Sequence, residues 1–389
     1  MEKLRRLVTQ IALTPPSERL TNLSPFQLSL IPLLSFASSV YGLGISLRRG
    51  LYRLGVFRKH RLPVPVISVG NLTWGGNGKT PMVEFIARWL LDSGISPLIL
   101  TRGYGSGDEA KMLQRHFHGT SAKVGVGANR AATAAKYDCV NICCSTSFKG
   151  AFQSNSRVSD KIGLAILDDG MQHVCLCRDL EIVMVNAMMP WGNKRLLPLG
   201  PLREPLTALE RADIVVIHHA NLVGEQDLEA IESTIRRVNQ SLPIFFTKMV
   251  PSFFFKAADS SCKLSLTVAK DSTFLCVSAI GFAESFVRTV LQMGPKHVDR
   301  LDFSDHYLFD TKDIGMLQKR LRELELKFAV KPVVVVTEKD YDRSPEVLKH
   351  LNPYEVLVLC SQLQFLPRKK RTEDDFKEFL RQRLKKSLV

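Results

Sequence analysis

The sequence lacks the features of the more unusual protein classes. It has no internal repeat, and 45% of its residues are hydrophobic and 23% charged, which are ordinary proportions for a globular chain. These values exclude a disordered chain, a collagen-like chain and a polytopic membrane protein. The 389 residues exceed the size at which a single core stops growing, about 250–300 residues, so we expect two domains.

Cysteines are wrongly spaced for a metal site. The pairs Cys143-Cys144 and Cys175-x-Cys177 do not have the spacing of zinc-ribbon ligands. Others, such as Cys276 and Cys360, lie in apolar, strand-like runs. We therefore expect reduced core cysteines in a reducing compartment. We predict no disulfide framework and no metal site built from cysteines. The eight cysteines are Cys139, Cys143, Cys144, Cys175, Cys177, Cys262, Cys276 and Cys360.

Acidic residues are also few: 38 Asp and Glu stand against 53 Lys and Arg, a formal net charge of +15. The excess is concentrated in two stretches. Residues 48–61 carry six basic side chains and no acid, and residues 368–389 carry nine basic and four acidic ones. Such charge fits nucleic acid, an anionic membrane surface or an anionic substrate.

No charged residue occurs from Leu20 to Leu47. This segment is long enough to cross a bilayer, but Pro32, Gly42, Gly44 and several serines interrupt it. Together with the basic residues that follow, it predicts a membrane-associated helix and flank over 26–61 that dips into one leaflet. The alternative is an apolar helix packed on the protein's own core.

Residues 1–25 form an N-terminal extension. They have no signal-peptide apolar region beside the basic start, so secretion is not expected. A short organellar transit peptide is an alternative, although Glu2 and Glu18 count against it.

Short Val/Ile/Leu runs alternate with helical stretches through the rest of the chain. This pattern predicts an α/β fold with a mostly parallel sheet. We predict a larger domain over 62–250, a linker or hinge over 251–271, and a smaller α/β domain over 272–389 that ends in a basic, amphipathic helix. The predicted strands are 64–69, 98–101, 164–167, 182–185, 214–218, 244–247, 274–278, 333–337 and 355–359, and the predicted helices are 81–92, 226–239 and 283–291.

The strongest local motif joins a buried strand to a helix through the glycine-rich segment 70–81. Gly75, Gly76, Asn77 and Gly78 would present backbone N–H groups to phosphate oxygens. Lys79 would neutralise the β- and γ-phosphates, and the Thr80 hydroxyl would bind Mg²⁺. The usual first glycine of this motif is replaced by Thr73. A tight turn with a solvated lysine is the alternative.

A second motif places two carboxylates, Asp168 and Asp169, directly after the apolar strand 164–167. Nucleotide enzymes hold Mg²⁺ with such carboxylates, directly or through water. A helix cap or a turn is the alternative for the pair. His173 lies beside them and, taken alone, is better read as structural.

Seven ordered blocks from about residue 26 to 340 together resemble the tetraacyldisaccharide 4'-kinases, the lipid A 4'-kinase family. The blocks are 70–81, 101–105, 107–110, 168–173 with Arg178-Asp179, 197–204, 303–306 and 337–340.

The resemblance implies a membrane-bound P-loop kinase that uses ATP and Mg²⁺ to phosphorylate the 4'-hydroxyl of a tetraacyldisaccharide 1-phosphate. It matches Lys79 and Thr80 to the phosphate-loop pair, Asp168 and Asp169 to the magnesium carboxylates, and His173 to the nearby histidine.

The resemblance also matches Asp108 to the family's catalytic aspartate and His306 to a histidine thought to work with it. The pair is then expected to span the two domains, so that domain closure would assemble it.

The longer N-terminus suggests an organellar eukaryotic member in a mitochondrial membrane; a bacterial member would lie on the cytoplasmic face of the inner membrane.

Two other functions compete with this interpretation. Another membrane-associated P-loop NTPase, such as a GTPase or a transport ATPase, would share the phosphate loop, as would a kinase of a different glycolipid. The sequence has no guanine-reading Asn-Lys-x-Asp, which counts against the NTPase. A basic adaptor for membranes or nucleic acid would spread its charge over a face with interleaved aromatics. Because the charge here is concentrated beside the apolar segment and in the tail, we expect a membrane surface as a partner and no nucleic acid. The resemblance implies an acylated disaccharide 1-phosphate lipid as substrate, and we infer no obligate protein partner.

Overall fold

Buried strands rich in Val, Ile and Leu organise the computed structural model, which describes residues 2–103, 107–137 and 161–386. The strands are β1 (Val66–Asn71), β2 (Pro97–Thr101), β3 (Lys123–Val126), β4 (Leu164–Asp168), β5 (Leu180–Asn186), β6 (Ile214–His218), β7 (Ile244–Lys256), β8 (Asp259–Leu264), β9 (Thr273–Ser278), β10 (His297–Asp302), β11 (Val333–Thr337) and β12 (Val356–Phe365).

Helices connect most of these strands. They are α1 (Glu2–Leu13), α2 (Arg19–Asn22), α3 (Pro25–Arg53), α4 (Lys79–Asp92), α5 (Asp108–His116), α6 (Arg130–Ala134), α7 (Glu225–Val238), α8 (Ala283–Leu291), α9 (Thr311–Phe328), α10 (Glu338–Arg343), α11 (Pro345–Lys349) and α12 (Glu373–Lys386). The predicted α/β class is confirmed.

The chain forms two compact units. Unit 1 comprises the described parts of Met1–Leu100, Asn129–Thr247 and Phe365–Val389, and unit 2 those of Thr101–Ala128 and Lys248–Gln364. In unit 1 the strand order is β7-β6-β5-β1-β4-β2, with parallel neighbours. Because parallel strands are covered on both faces, β1, β4, β5 and β6 are buried throughout.

Unit 2 has the strand order β8-β7-β12-β11-β9-β10. Strands β10, β9, β11 and β12 are parallel, whereas β8 turns back antiparallel to β7. Leu317 and Leu321 of α9 pack with Val334 and Val336 of β11 in its core.

The units differ from the predicted domains in three places. Residues 101–128 belong to unit 2 because ion pairs described below hold α5 to α10. The predicted linker 251–271 instead contains the end of β7 and the strand β8. The C-terminal helix α12 belongs to unit 1 because its buried Phe376 packs against Phe245 and Phe365.

Helix α3 lies along unit 1 with one face in contact and the other in solvent. Ser24 begins it in a reciprocal cap with Gln27. The Ser38 hydroxyl donates to the carbonyl of Leu196 at 2.8 Å, and the Tyr41 hydroxyl donates to that of Arg203 at 3.0 Å. By length and composition, α3 could cross a membrane. Its exposed apolar side chains include Phe26, Leu33, Phe36, Val40, Leu43 and Leu47.

Candidate active site

The phosphate loop follows β1 as predicted and ends where α4 begins at Lys79. Gly78 is in the left-handed region at φ +77°, and a Cβ there would also clash with the His218 ring. Thr73, in place of the usual glycine, is buried and donates its hydroxyl to Asn77 Oδ1 at 3.2 Å. The Asn77 amide in turn donates to the Gly75 carbonyl at 3.0 Å. Side-chain hydrogen bonds within the loop therefore stabilise its conformation.

Lys79 and Asp169 meet at the carboxyl ends of β1 and β4. The Lys79 Nζ lies 3.4 Å from Asp169 Oδ1. Nη1 of Arg203 donates to both oxygens of Asp169, at 2.8 and 2.9 Å. Burial raises the pKa of Asp169, but the charges of Lys79 and Arg203 outweigh it and hold the pKa well below its usual range. Asp169 is therefore an anion at neutral pH.

Asp168 ends β4 opposite Val69 of β1 and is almost fully buried. Its backbone carbonyl accepts a hydrogen bond from Arg130 Nη2 at 2.7 Å. Within the residues that the structure describes, no three His, Cys, Asp or Glu side chains cluster as a metal site on their own. Two carboxylates and the Thr80 hydroxyl nevertheless fit Mg²⁺, because this ion is usually bound by one or two carboxylates together with substrate phosphates.

His173 follows Asp169 in a turn. Its Nε2 lies 3.1 Å from the sulfur of Cys175, and its carbonyl accepts from Arg178 Nη2 at 3.1 Å. These contacts link His173 to the segment that follows it, and its role near the carboxylates stays a prediction.

Two buried histidines, His218 and His219, were not singled out from the sequence, and His218 lies beside Gly78 of the phosphate loop. Nδ1 of His218 lies 3.0 Å from the Thr247 hydroxyl, and its ring contacts that of His219 in a tilted arrangement, with 4.1 Å between centroids. Burial and the neighbouring His219 hold the pKa of His218 well below its ordinary value, and burial lowers the pKa of His219 to about 4. Both rings are therefore neutral packing groups at neutral pH. Their only sequence signal is the position at the end of β6.

Asp108 and His306 come together in unit 2. Asp108 is the first residue of α5, and its Oδ2 lies 3.3 Å from His306 Nδ1, within ion-pair range although not aligned as a hydrogen bond. The pairing of the two residues agrees with the sequence prediction. The expectation that they lie in different domains is wrong, because both belong to unit 2.

Charged side chains from α10 surround Asp108. Arg343 binds its carboxylate through Nε, at 3.0 Å, and through Nη2. Burial raises the pKa of Asp108, but contact with His306 and the charges of Lys339 and Arg343 outweigh it and hold the pKa well below its usual range. Sequence reasoning missed Arg343, which lies 235 residues from Asp108 in the chain.

Further ion pairs join α5 to α10. Lys339 donates to Glu109 at 2.8 Å, and Arg115 donates to Asp342 at 2.8 and 2.9 Å and to Glu338 at 3.0 Å. These bonds explain why α5 belongs to unit 2.

Comparison with known proteins adds three findings. The family model described as tetraacyldisaccharide-1-P 4'-kinase matches residues 30–385. The probable mitochondrial tetraacyldisaccharide 4'-kinase of Arabidopsis thaliana is 54% identical over 385 residues, covering 97% of this chain and 96% of that protein. The tetraacyldisaccharide 4'-kinase of Syntrophus aciditrophicus is 34% identical, covering 82% and 84%.

A solved structure shares the fold. The crystal structure of the "apo" form of LpxK from Aquifex aeolicus, in complex with ATP, aligns with a TM-score of 0.57 at 24% identity and covers 92% of this chain and 98% of that one. A glycine-rich loop, paired carboxylates and a contact between the buried Asp108 and the partly exposed His306 thus occur in a chain with these relatives.

Proposed function

This chain belongs to the tetraacyldisaccharide 4'-kinase family, and we propose that it transfers the γ-phosphoryl group of ATP to the 4'-hydroxyl of a tetraacyldisaccharide 1-phosphate. The product would be the bisphosphorylated lipid A precursor, lipid IVA. The observation that carries the proposal is the Lys79–Asp169–Arg203 cluster beside a phosphate loop, because it gathers the charges that phosphoryl transfer requires.

In the proposed site, unit 1 binds the nucleotide. Backbone N–H groups of 75–78 and the Lys79 ammonium would hold the phosphates, and Lys79 would leave Asp169 to do so. Asp168, Asp169 and the Thr80 hydroxyl would hold Mg²⁺, with His173 beside them. When bound, Mg²⁺ neutralises charge that develops on the transferring group.

In unit 2, the Asp108–His306 pair would remove the proton of the attacking sugar hydroxyl. An imidazole or carboxylate within reach of a hydroxyl serves as a general base, and its contacts often tighten only when substrate is bound. The 3.3 Å separation of the two side chains fits such a pair.

The lipid substrate would be reached through α3. Its apolar face is exposed, and six basic residues lie between Arg48 and Arg61, at and just beyond its end. A helix of this kind lies in the interface, where basic side chains meet anionic headgroups. Contacts of Ser38 and Tyr41 with unit 1 favour insertion into one leaflet over a full span. The mitochondrial relative supports a mitochondrial membrane as the location.

The test is phosphoryl transfer by the purified full chain with Mg²⁺-ATP and tetraacyldisaccharide 1-phosphate in mixed micelles. We expect a 4'-phosphorylated product, and Lys79→Ala should lower kcat/KM by about 100-fold or more because it removes a preorganised cation. Lys136→Ala, which replaces an exposed lysine of unit 1, is the matched control and should retain activity. Transfer to another glycolipid with none to the disaccharide would move the assignment to a different glycolipid kinase.

A further inference from the structure

Arg343 is a buried cation that the proposed reaction does not use directly. Its side chain is 0% exposed. Besides the two bonds to Asp108, its Nη1 donates to Asp340 Oδ1 at 3.0 Å and to the carbonyls of Ala279 and Tyr307 at 2.9 and 3.2 Å. A buried guanidinium is stable only when its charge and donors are satisfied in this way.

The same bonds reach the segment that carries His306. The Ala279 carbonyl accepts from Arg343 and also from the His306 backbone N–H, at 3.1 Å, and Tyr307 is the next residue. His306 has a φ of 62°, a left-handed conformation that is unfavourable for a residue with a Cβ. Arg343 therefore contacts Asp108, the carbonyl of Tyr307 next to the strained His306, and the Ala279 carbonyl to which the His306 backbone N–H also bonds.

We propose that Arg343 is a positioning residue: its guanidinium fixes Asp108 with Oδ2 facing His306 Nδ1 and, through the Ala279 and Tyr307 carbonyls, fixes the backbone that presents the imidazole. This inference rests on the proposed function.

The charges around Asp108 support this positioning role. Arg343 and Lys339 face it from α10, His306 and Asp305 from the segment after β10, and Glu109 from its own helix. Asp340 forms an ion pair with Arg343 Nη1. Two fixed cations next to a buried carboxylate stabilise its anionic form, and an anionic carboxylate can hold a neighbouring imidazole in a defined orientation.

The test combines carbon-13 NMR titration of Asp108 with kinetics on the full chain. The Asp108 signal is assigned by comparison with Asp108→Asn. In wild type we expect it to remain ionised well below about pH 3.9, the ordinary aspartate value. In Arg343→Gln the midpoint should rise, and kcat should fall by about 100-fold while binding of a fluorescent ATP analogue is retained.

Two variants make the result specific. Arg343→Lys keeps the charge but not the guanidinium fork, so Asp108 should stay ionised while kcat still falls. Arg322→Gln removes an exposed guanidinium from α9 of the same unit and should leave both the Asp108 titration and kcat near wild type.

Three outcomes would overturn the inference: an unchanged Asp108 midpoint in Arg343→Gln, an equal rise in Arg322→Gln, or full kcat in Arg343→Lys. If wild type does not phosphorylate the disaccharide, the proposed function fails, and the NMR titration still decides whether Arg343 holds Asp108 ionised.

Discussion

Position 78 in the phosphate loop is constrained in two ways. Its φ of +77° favours glycine, and the His218 ring fills the space that a side chain would need. The neutral, buried His218 thus packs directly against Gly78, the residue that precedes Lys79. The loop conformation therefore depends on a residue 140 positions later in the chain.

We expect Gly78→Ala to raise the KM for ATP by at least 10-fold, because the left-handed conformation alone costs about 1–2 kcal/mol and the clash with His218 adds to it. Gly294→Ala is the control: this glycine has a φ of +76° but nothing within 4 Å of an added Cβ, so stability should fall slightly without a change in ATP binding. In Gly78→Ala/His218→Ala the ATP affinity should recover in part. No recovery would mean that the clash is not the cause.

Sequence reasoning found the site residues that are close together in the chain and missed those that are not. The loop 75–80 and the pair Asp168–Asp169 each form a contiguous motif with its own chemistry. Arg203 and Arg343 act on carboxylates 34 and 235 residues away, and single arginines carry no local pattern. Asp108 and His306 could be singled out only through the family resemblance.

Among the elements, those with strong apolar patterns could be predicted well. Strands β6 and β11 and helix α8 have the predicted bounds. Strand β10 was not predicted, because charged residues interrupt its apolar ones and it is partly exposed. Parallel pairing with β9 stabilises it instead. Helix α5 was missed because it is short and depends on ion pairs to α10. Cys139, Cys143 and Cys144 lie outside the described residues, and Cys276 and Cys360 are buried as expected.

Helix α12 shows how an amphipathic tail can be part of a core. Its Phe376 is fully buried, with ring centroids 4.8 Å from Phe365 and 5.2 Å from Phe245. Its basic side chains lie over aromatic rings of the same unit: Arg381 lies over Trp89, 5.6 Å from the ring centroid. The basic C-terminal helix α12 therefore also packs in the core of unit 1.

We expect Phe376→Ala to destabilise unit 1 by about 3–5 kcal/mol, because it leaves a cavity in an aromatic cluster. Phe379→Ala, a partly exposed residue of the same helix, should cost about 1 kcal/mol or less. Tryptophan fluorescence during urea denaturation measures the effect, since Trp74, Trp89 and Trp191 all belong to unit 1. Equal midpoints for the two variants would contradict the packing role of α12.

At the scale of the whole molecule, the +15 charge and the apolar face of α3 occur together. Phe36 and Leu43 on that face are 70% and 71% exposed. An exposed apolar stripe of this length is rare on a soluble monomer and marks an interaction surface. The basic residues up to Arg61 would add electrostatic attraction to an anionic bilayer.

Replacing Phe36, Val40 and Leu43 with serine should abolish co-sedimentation with vesicles that contain an anionic phospholipid, because burial of this apolar face drives binding. ATP binding should be unchanged. Leu326→Ser is the control, since Leu326 is 86% exposed but lies in unit 2. If the triple variant still sediments with the vesicles, α3 is not the membrane contact.

The assignment of α12 to unit 1 also has a consequence for synthesis of the chain. A ribosome makes the phosphate loop early, yet the aromatic cluster that includes Phe245 stays open until Phe376 and Leu384 have emerged from the exit tunnel. The last segment of unit 2 ends at Gln364, so all of unit 2 is synthesised before Phe376. The apolar surface of unit 1 would thus stay uncovered until after unit 2 has been synthesised, and chaperones would be expected to protect unit 1 during and just after translation.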